Sequence, residues 1–226
     1  MSLTVSVIVP CYNEEENIQE CIRRILQICS DYEIIVVDDG SQDRTSGKAK
    51  EVSRENVTVI RYEKNRGKGY ALRVGLASAK GDVIVIQDAD MATPPEEIPS
   101  ILQPILNGEA DFVNGTRLVH PMEKGAMKRL HIIGNGIFAL IVSALIGQRL
   151  TDTLCGFKAF RKDRIRGKLE EDNWPDFELL IKAKRNGLQI VEVPIHYHSR
   201  KGGRSKMRTF RHGYDMLRML IRSLLT

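Results

Sequence analysis

The chain of 226 residues has only four cysteines, Cys11, Cys21, Cys29 and Cys155, and no CxxC pair among them. That spacing argues against a disulfide framework or a thiolate metal site and fits reduced thiols. No basic segment leads into an apolar signal core, because Val5 to Val9 is only a strand's length. The longest apolar run, Ile132 to Ile146, is interrupted by Asn135 and Ser143. It falls short of the roughly 20 residues that a membrane span needs. His131, His196, His198 and His212 lack an HExxH-like spacing. Tyr197 separates His196 from His198, so on a strand both would face one way, as structural or substrate-side residues rather than metal ligands. No internal repeat or low-complexity linker divides the chain. These absences lead to the expectation of a cytoplasmic protein, soluble or peripheral on the cytoplasmic membrane face, built as one domain with an elaborated second half.

Charge is unevenly placed. The formal net charge is +5, yet Ser199 to Thr226 carries eight basic residues and one acid, Asp215. The body is therefore slightly acidic, which excludes a nucleic-acid binder by charge, while the tail calls for an anionic partner.

What is present is a pattern of short β-branched runs alternating with helical segments. Val5 to Val9, Ile34 to Val37, Val57 to Tyr62 and Asp82 to Ile86 read as strands. Between them Asn13 caps a helix beginning Glu14-Glu15-Glu16, a second helix lies near 45–54, and Gly67-Lys68-Gly69 opens a third. Pro94-Pro95 starts another. Alternation of this kind predicts an α/β fold whose first 110 or so residues form a mostly parallel, Rossmann-like sheet with helices on both faces. The second half reads as a strand near 112–114, an apolar helix around 126–147, a helix from about Asp176 to Arg185 and a strand from Gln189 to Ile195.

Two of these strands end in paired acids, Asp38-Asp39 and Asp88-Ala89-Asp90. Like charges one residue apart resist burial unless a cation joins them. Hard divalent cations take oxygen ligands and share them with substrate phosphates. In open α/β sheets the ligand crevice lies at the carboxyl ends of the strands, so the pattern points to a metal-assisted nucleotide site, with Asp88 and Asp90 as the metal ligands.

Other segments admit two readings. Gly67-Lys68-Gly69 lacks the full glycine spacing of a dinucleotide or P-loop site and suits a tight turn, although Lys68 at a helix start can reach a phosphate. The segment Arg200 to Lys206 is a glycine-containing cationic loop, suited to phosphate binding or to plain solvation. Met207, Phe210, Tyr214, Leu217, Ile221 and Leu224 form one helical stripe flanked by arginines. Such a helix lies on an anionic membrane or docks on protein.

Taken together these stretches resemble the family 2 glycosyltransferases with the GT-A fold. The resemblance rests on Val5 to Glu15, Val36 to Ser41, Asn65 to Ala71 and Asp88-Ala89-Asp90. Asp152 to Phe160 and Trp174 to Leu180 are similar to the polyprenyl-phosphate hexosyltransferases, including dolichyl-phosphate glucosyltransferases. Arg200 to Lys206 resembles the acceptor loop of dolichyl-phosphate mannose synthases. The resemblance implies transfer of glucose or mannose from a UDP- or GDP-linked sugar to a polyprenyl phosphate. Within it, Pro10, Tyr12, Glu14, Asp39 and Lys68 hold the nucleotide sugar, and Asp88 and Asp90 hold Mg²⁺ or Mn²⁺ against the diphosphate. Arg117, Arg129, Arg200, Ser205 and Lys206 approach the acceptor phosphate, and Asp176 stands near the reacting centre. It further implies one GT-A domain over 1–226: a donor half (1–110), an acceptor half (111–198) and a basic loop with an amphipathic helix (199–226).

Two departures qualify the match. Thr93 stands where mannose synthases often carry Gln or His, which leaves the sugar open. The chain also ends without the transmembrane helices that many relatives append, so membrane contact rests on amphipathic helices. A soluble or polysaccharide hydroxyl acceptor and a non-catalytic nucleotide-sugar-binding protein are the alternatives, with a nucleotidyltransferase disfavoured by the second-half motifs.

Overall fold

In a computed structural model, the described residues are 3–52, 54–123, 126–127, 129–167, 169–172 and 175–199. Each β-branched run forms a strand: β1 (Val5–Cys11), β2 (Glu33–Asp38), β3 (Val57–Arg61) and β4 (Val83–Ile86). The second half adds β5 (Phe112–Thr116), β6 (Lys158–Arg161) and β7 (Ile190–Pro194). All seven join one sheet in the order β3-β2-β1-β4-β6-β5-β7. The expected parallel order holds for β1 to β4 and for β5 with β7, while β6 runs antiparallel to both β4 and β5.

Among the described residues six α-helices cover the sheet: α1 (Ile18–Ile28), α2 (Thr45–Glu51), α3 (Lys68–Ser78), α4 (Ile98–Leu106), α5 (Arg129–Ile146) and α6 (Pro175–Arg185). Alternate residues of each strand feed opposite faces, as the pleat requires. Val7, Val9, Ile34, Val36, Val83 and Val85 pack under α1 and α4. Ile8, Ile35, Val37, Ile84 and Ile86 pack under α3, α5 and α6. These central strands are apolar on both sides because helices cover both sides.

The helix starts differ in part from the sequence expectation. Asn13 takes a left-handed φ of 53°, so it turns the chain rather than capping a helix. α1 begins only at Ile18, and Glu14 prepares it by accepting Asn17 Nδ2 at 2.9 Å and the amides of Asn17 and Ile18 on its carbonyl. The Pro94-Pro95 start is a 3-10 turn, Pro95–Glu97, before α4. The strand expected to end at Ile195 stops at Pro194, so His196 and His198 lie outside it. His196 Nδ1 meets Glu97 Oε1 at 2.5 Å and His198 Nδ1 meets Glu123 Oε1 at 2.7 Å, so the two histidines face different partners.

Candidate active site

β2, β1 and β4 lie side by side and parallel, so their carboxyl ends open onto one crevice. The loop after β1 is stitched to the loop after β2. Asn13 N–H donates to Ser41 Oγ at 2.8 Å, Gln42 N–H donates to Asn13 Oδ1 at 2.8 Å, and Glu14 N–H donates to Thr45 Oγ1 at 2.8 Å. Pro10, paired with Val37, and half-buried Tyr12 stand at this junction with Glu14.

The first acid pair is largely spent on the chain itself. Asp38, fully buried, accepts the Ser41 amide at 2.9 Å and lies 3.5 Å from Arg61 Nε. The Asp39 carboxylate accepts the amides of Arg66 at 2.7 Å and Gly67 at 2.9 Å. It therefore pins the start of α3 to the end of β2. The Gly69 amide is taken by Asp172 O at 2.7 Å. The amides of Arg66, Gly67 and Gly69 are thus committed, and it is the Lys68 side chain that this helix start presents to the crevice.

The second pair is arranged otherwise. Gln87 extends β4 by one bond to Ile8 O, and its side chain donates to Asp88 O and Thr93 O, both at 3.0 Å. Asp90 Oδ1 accepts the Ala92 amide at 3.0 Å, and Met91 is driven to a left-handed φ of 52°. Such a conformation is costly for a non-glycine residue and persists where the surroundings fix it, often at functional sites. The turn leaves Asp88 facing the crevice, its Oδ1 2.8 Å from Lys68 Nζ. Lys68 Nζ also lies 3.6 Å from Asp176 Oδ2 at the start of α6. Burial works against the Lys68 charge, but the Asp176 and Asp88 carboxylates outweigh it and hold the ammonium above its ordinary value. Burial raises the Asp176 carboxyl, and Lys68 and Lys158 only partly offset this.

Gly156 closes the site from the β6 side. A Cβ there would stand 2.4 Å from both Asp88 Oδ2 and Lys68 Nζ, so any side chain at this position would push those two groups aside. An ammonium already sits where a cation would meet Asp88. Two carboxylates at one turn, one of them already meeting an ammonium, fit a hard divalent cation. Among the described residues no group of three or more His, Cys, Asp or Glu side chains converges, so the cation would complete its shell with ligand oxygens.

Toward β7 a buried polar network follows that sequence reasoning did not assign. Arg117 grips Asp152 through Nε–Oδ2 at 2.6 Å and Nη2–Oδ1 at 2.9 Å, and its guanidinium lies 5.1 Å from the Tyr197 ring. Asp152 also accepts Asn135 Nδ2 at 2.6 Å. Burial opposes this carboxylate, yet Arg117 and Asn135 hold it below the usual range. Asn114 Nδ2 donates to Asp152 O at 2.7 Å and Glu192 Oε1 at 3.1 Å, and Asn114 Oδ1 accepts Lys158 Nζ. Glu192 also accepts the Thr151 amide at 2.8 Å. The available signal was polar residues inside short apolar strands: Asn114 in β5 and Lys158 between Phe157 and Phe160. Of the expected acceptor residues, Arg117 joins this network. Arg200, Ser205 and Lys206 lie outside the described residues, as does Arg129 beyond its backbone at the start of α5.

Residues 6–167 match the model of Glycosyl transferase family 2. The chain belongs to that family. This family 2 chain is 39% identical over 215 residues to a dolichol-phosphate mannosyltransferase of Pyrococcus furiosus, covering 91% of the chain and 60% of the relative. It is 33% identical to a UDP-N-acetylglucosamine–dolichyl-phosphate N-acetylglucosaminyltransferase of Methanococcus voltae, covering 84% of each. The chain spans only 60% of the mannosyltransferase and 53% of the low-salt glycan biosynthesis hexosyltransferase Agl6 of Haloferax volcanii. Among solved structures, glucosyl-3-phosphoglycerate synthase of Mycobacterium tuberculosis with Mn²⁺, UDP and glucosyl-3-phosphoglycerate superposes with a TM-score of 0.74 at 25% identity, covering 99% of this chain and 79% of that one. The family 2 fold accounts for the crevice at the ends of β1, β2 and β4, and the segment 158–161 that sequence reasoning left unassigned is the antiparallel strand beside it.

Proposed function

We propose that the chain transfers a hexose, with inversion, from a nucleotide-diphosphate sugar to a polyprenyl monophosphate, Asp88 and Asp90 holding Mg²⁺ or Mn²⁺. The observation that carries this reading is the Lys68 ammonium lodged between Asp88 and Asp176 beneath Gly156, at the carboxyl end of the parallel strands. Relatives named for dolichyl-phosphate acceptors support the acceptor class, and the neighbour solved with Mn²⁺ and UDP supports the donor class.

Pro10, Tyr12, Glu14 and Asp39 wall the pocket for base and ribose. When bound, the cation supplies Lewis-acid relief of the charge growing on the leaving diphosphate. Lys68 offers a second positive charge to the same oxygens by turning from Asp88. Arg117, braced by Asp152, receives the acceptor phosphate together with Arg129, Arg200, Ser205 and Lys206. A phosphate monoester has lost its second proton above a pKa of about 6, so it attacks the anomeric carbon without a strong base. Asp176 then serves electrostatics and orientation. Residues 1–110 supply the donor half, 111–198 the acceptor half, and 199–226 the basic loop and amphipathic helix.

Membrane contact suits α5. Leu130, Ile133, Ile137 and Leu140 are exposed on it, Leu140 by 73%, and no acid occurs from 129 to 150. No helix among the described residues is long and apolar enough to cross a bilayer. The exposed apolar residues of α5 support the peripheral position proposed for the chain, on the cytoplasmic face.

A second reading, a hydroxyl acceptor, draws on Asp176. Its Oδ1 is buried with no hydrogen-bond partner among the described residues, as a carboxylate awaiting a proton would be. One experiment separates the two. The protein, MnCl₂, labelled UDP- and GDP-sugars and a short polyprenyl phosphate are incubated and extracted into organic solvent. Label in the organic phase, with measurable activity kept by Asp176→Asn, is expected. Label transferred only to water-soluble acceptors and abolished by Asp176→Asn, with nucleotide binding intact, contradicts the lipid-phosphate reading.

A further inference from the structure

A strap of backbone, residues 169–172, crosses the start of α3. It lies so close that a Cβ on Gly69 would stand 1.8 Å from Glu171 O. Asp172 O takes the Gly69 amide at 2.7 Å. Arg73, about one turn further along α3, donates to Leu169 O at 3.2 Å and pairs with the Asp172 carboxylate. From the other side the strap is held by α6. The Glu178 carboxylate accepts the Glu170 amide on both oxygens, at 2.8 and 2.9 Å, and the Glu171 amide on Oε2 at 2.9 Å. Its side chain is only 12% exposed, and hydrogen bonds from amides to a carboxylate are among the stronger ones. The strap thus joins two helix starts that each carry a group of the crevice. Lys68 precedes Gly69 on α3, and Asp176 lies two residues before Glu178 on α6. Lys68 Nζ is 2.8 Å from Asp88 Oδ1 and 3.6 Å from Asp176 Oδ2.

We infer that Glu178 is a positioning residue: by fixing the strap to α6 it sets the start of α3 against the start of α6, and so places Lys68 between Asp88 and Asp176. Without Glu178 the strap is held from the α3 side alone, and the spacing of Lys68 and Asp176 loses its bracket. A misplacement of about 1 Å at a reacting centre costs up to about a hundredfold in rate, so a carboxylate bonded only to backbone and Lys182 still acts on turnover. The effect on rate rests on the transfer activity proposed above, whereas the coupling through the strap does not.

The test is Glu178→Ala, read first by amide hydrogen exchange of the unliganded protein. The telling amide is Gly69, whose acceptor is Asp172 O and not Glu178. Its exchange is expected to rise by about tenfold or more together with Glu170 and Glu171, while the amides of β1 keep the parent's rates. A Gly69 rate within about twofold of the parent overturns the coupling. The second readout is kinetic. Glu178→Ala is expected to lower kcat by about tenfold or more while UDP or GDP affinity with MnCl₂, by calorimetry, stays within about threefold. A kcat within about twofold of the parent overturns the positioning role. Lys182→Met removes the ammonium 3.4 Å from Glu178 Oε1 and none of the bonds to the strap, so its kcat should stay within about twofold of the parent. A loss equal to that of Glu178→Ala would assign the effect to the charge pair and overturn the strap. If Glu178→Ala does not fold, Glu178→Gln, which keeps the volume and one acceptor oxygen, carries the same test with a rise of about threefold at Gly69, and no rise overturns the coupling. If the parent binds neither nucleotide and transfers no sugar, the proposed function fails while the exchange rates still decide the strap.

Discussion

At the end of β2, Asp38 and Asp39 are enclosed by their own chain; at the end of β4, Asp88 faces an open crevice. Both pairs follow apolar β-branched runs, and in sequence they look alike. Their surroundings differ in what compensates the charge. Asp38 and Asp39 are met mainly by backbone amides of Ser41, Arg66 and Gly67, which are fixed by the fold. Asp88 is met by the end of a lysine side chain, which can swing aside for a ligand. An acid satisfied by backbone is fixed in place, Asp38 inside the fold and Asp39 as a wall of the proposed nucleotide pocket, while one satisfied by a side-chain cation remains exchangeable.

The comparison breaks if the two pairs respond alike to substitution. Asp88→Ala is expected to lower transfer by about a hundredfold or more, the scale of losing a transition-state electrostatic contact, with melting nearly unchanged, whereas Asp90→Ala is expected to lose transfer and some stability together, because its Oδ1 accepts the Ala92 amide. Asp38→Ala is expected to lose about 1–3 kcal/mol of stability, by leaving the Ser41 amide without its acceptor. Rate assays and denaturant unfolding read the two outcomes, and equal loss of stability at both pairs would remove the distinction.

A further expected effect extends it to the second half. Asp152 resembles Asp38 in being fully buried, but its partner is the Arg117 guanidinium. Asp152→Ala is expected to cost about 3–5 kcal/mol of stability, since it strands a buried cation, and to weaken the acceptor phosphate more than the donor. Its carboxyl is held low, so its stabilisation is full above the unfolded carboxyl pKa and is lost as pH falls through the folded value. The parent should lose stability below about pH 4, where an unfolded Asp begins to protonate, and Asp152→Ala should lose less over the same range.

The smallest effect lies on the rim. Glu123 accepts Ser199 N–H at 3.0 Å and meets His198, and these contacts lower its carboxyl to about 2. An NMR titration should therefore find a Glu123 midpoint near 2. This contact is formed above the ordinary glutamate range and is lost as pH falls toward that value. A midpoint at the ordinary value would mean that Ser199 is not held there.

How much of this was legible in sequence depended on range. β1, β2 and β4 announced themselves by runs rich in β-branched residues, and the acids at the ends of β2 and β4 located the crevice. The start of α1 was obscured because Glu14 to Glu16 looks like an acidic first turn, whereas Asn13 turns left-handed and Glu14 is used as a bracket for Asn17. β6 was hidden because Lys158 interrupts its apolar pattern and no turn signal marks it. The same residue shows why the polar network was invisible: Asn114 and Lys158, or Arg117 and Asp152, meet only after the sheet has closed. The division of work between the two acid pairs was equally hidden, since it depends on which donors surround them in space.

The most direct measurement is calorimetric titration of UDP and GDP into the parent and into Asp88→Ala, with and without MnCl₂. The account predicts binding of one nucleotide that requires the cation and disappears in Asp88→Ala. Binding of equal strength with or without cation, unchanged by Asp88→Ala, would contradict it.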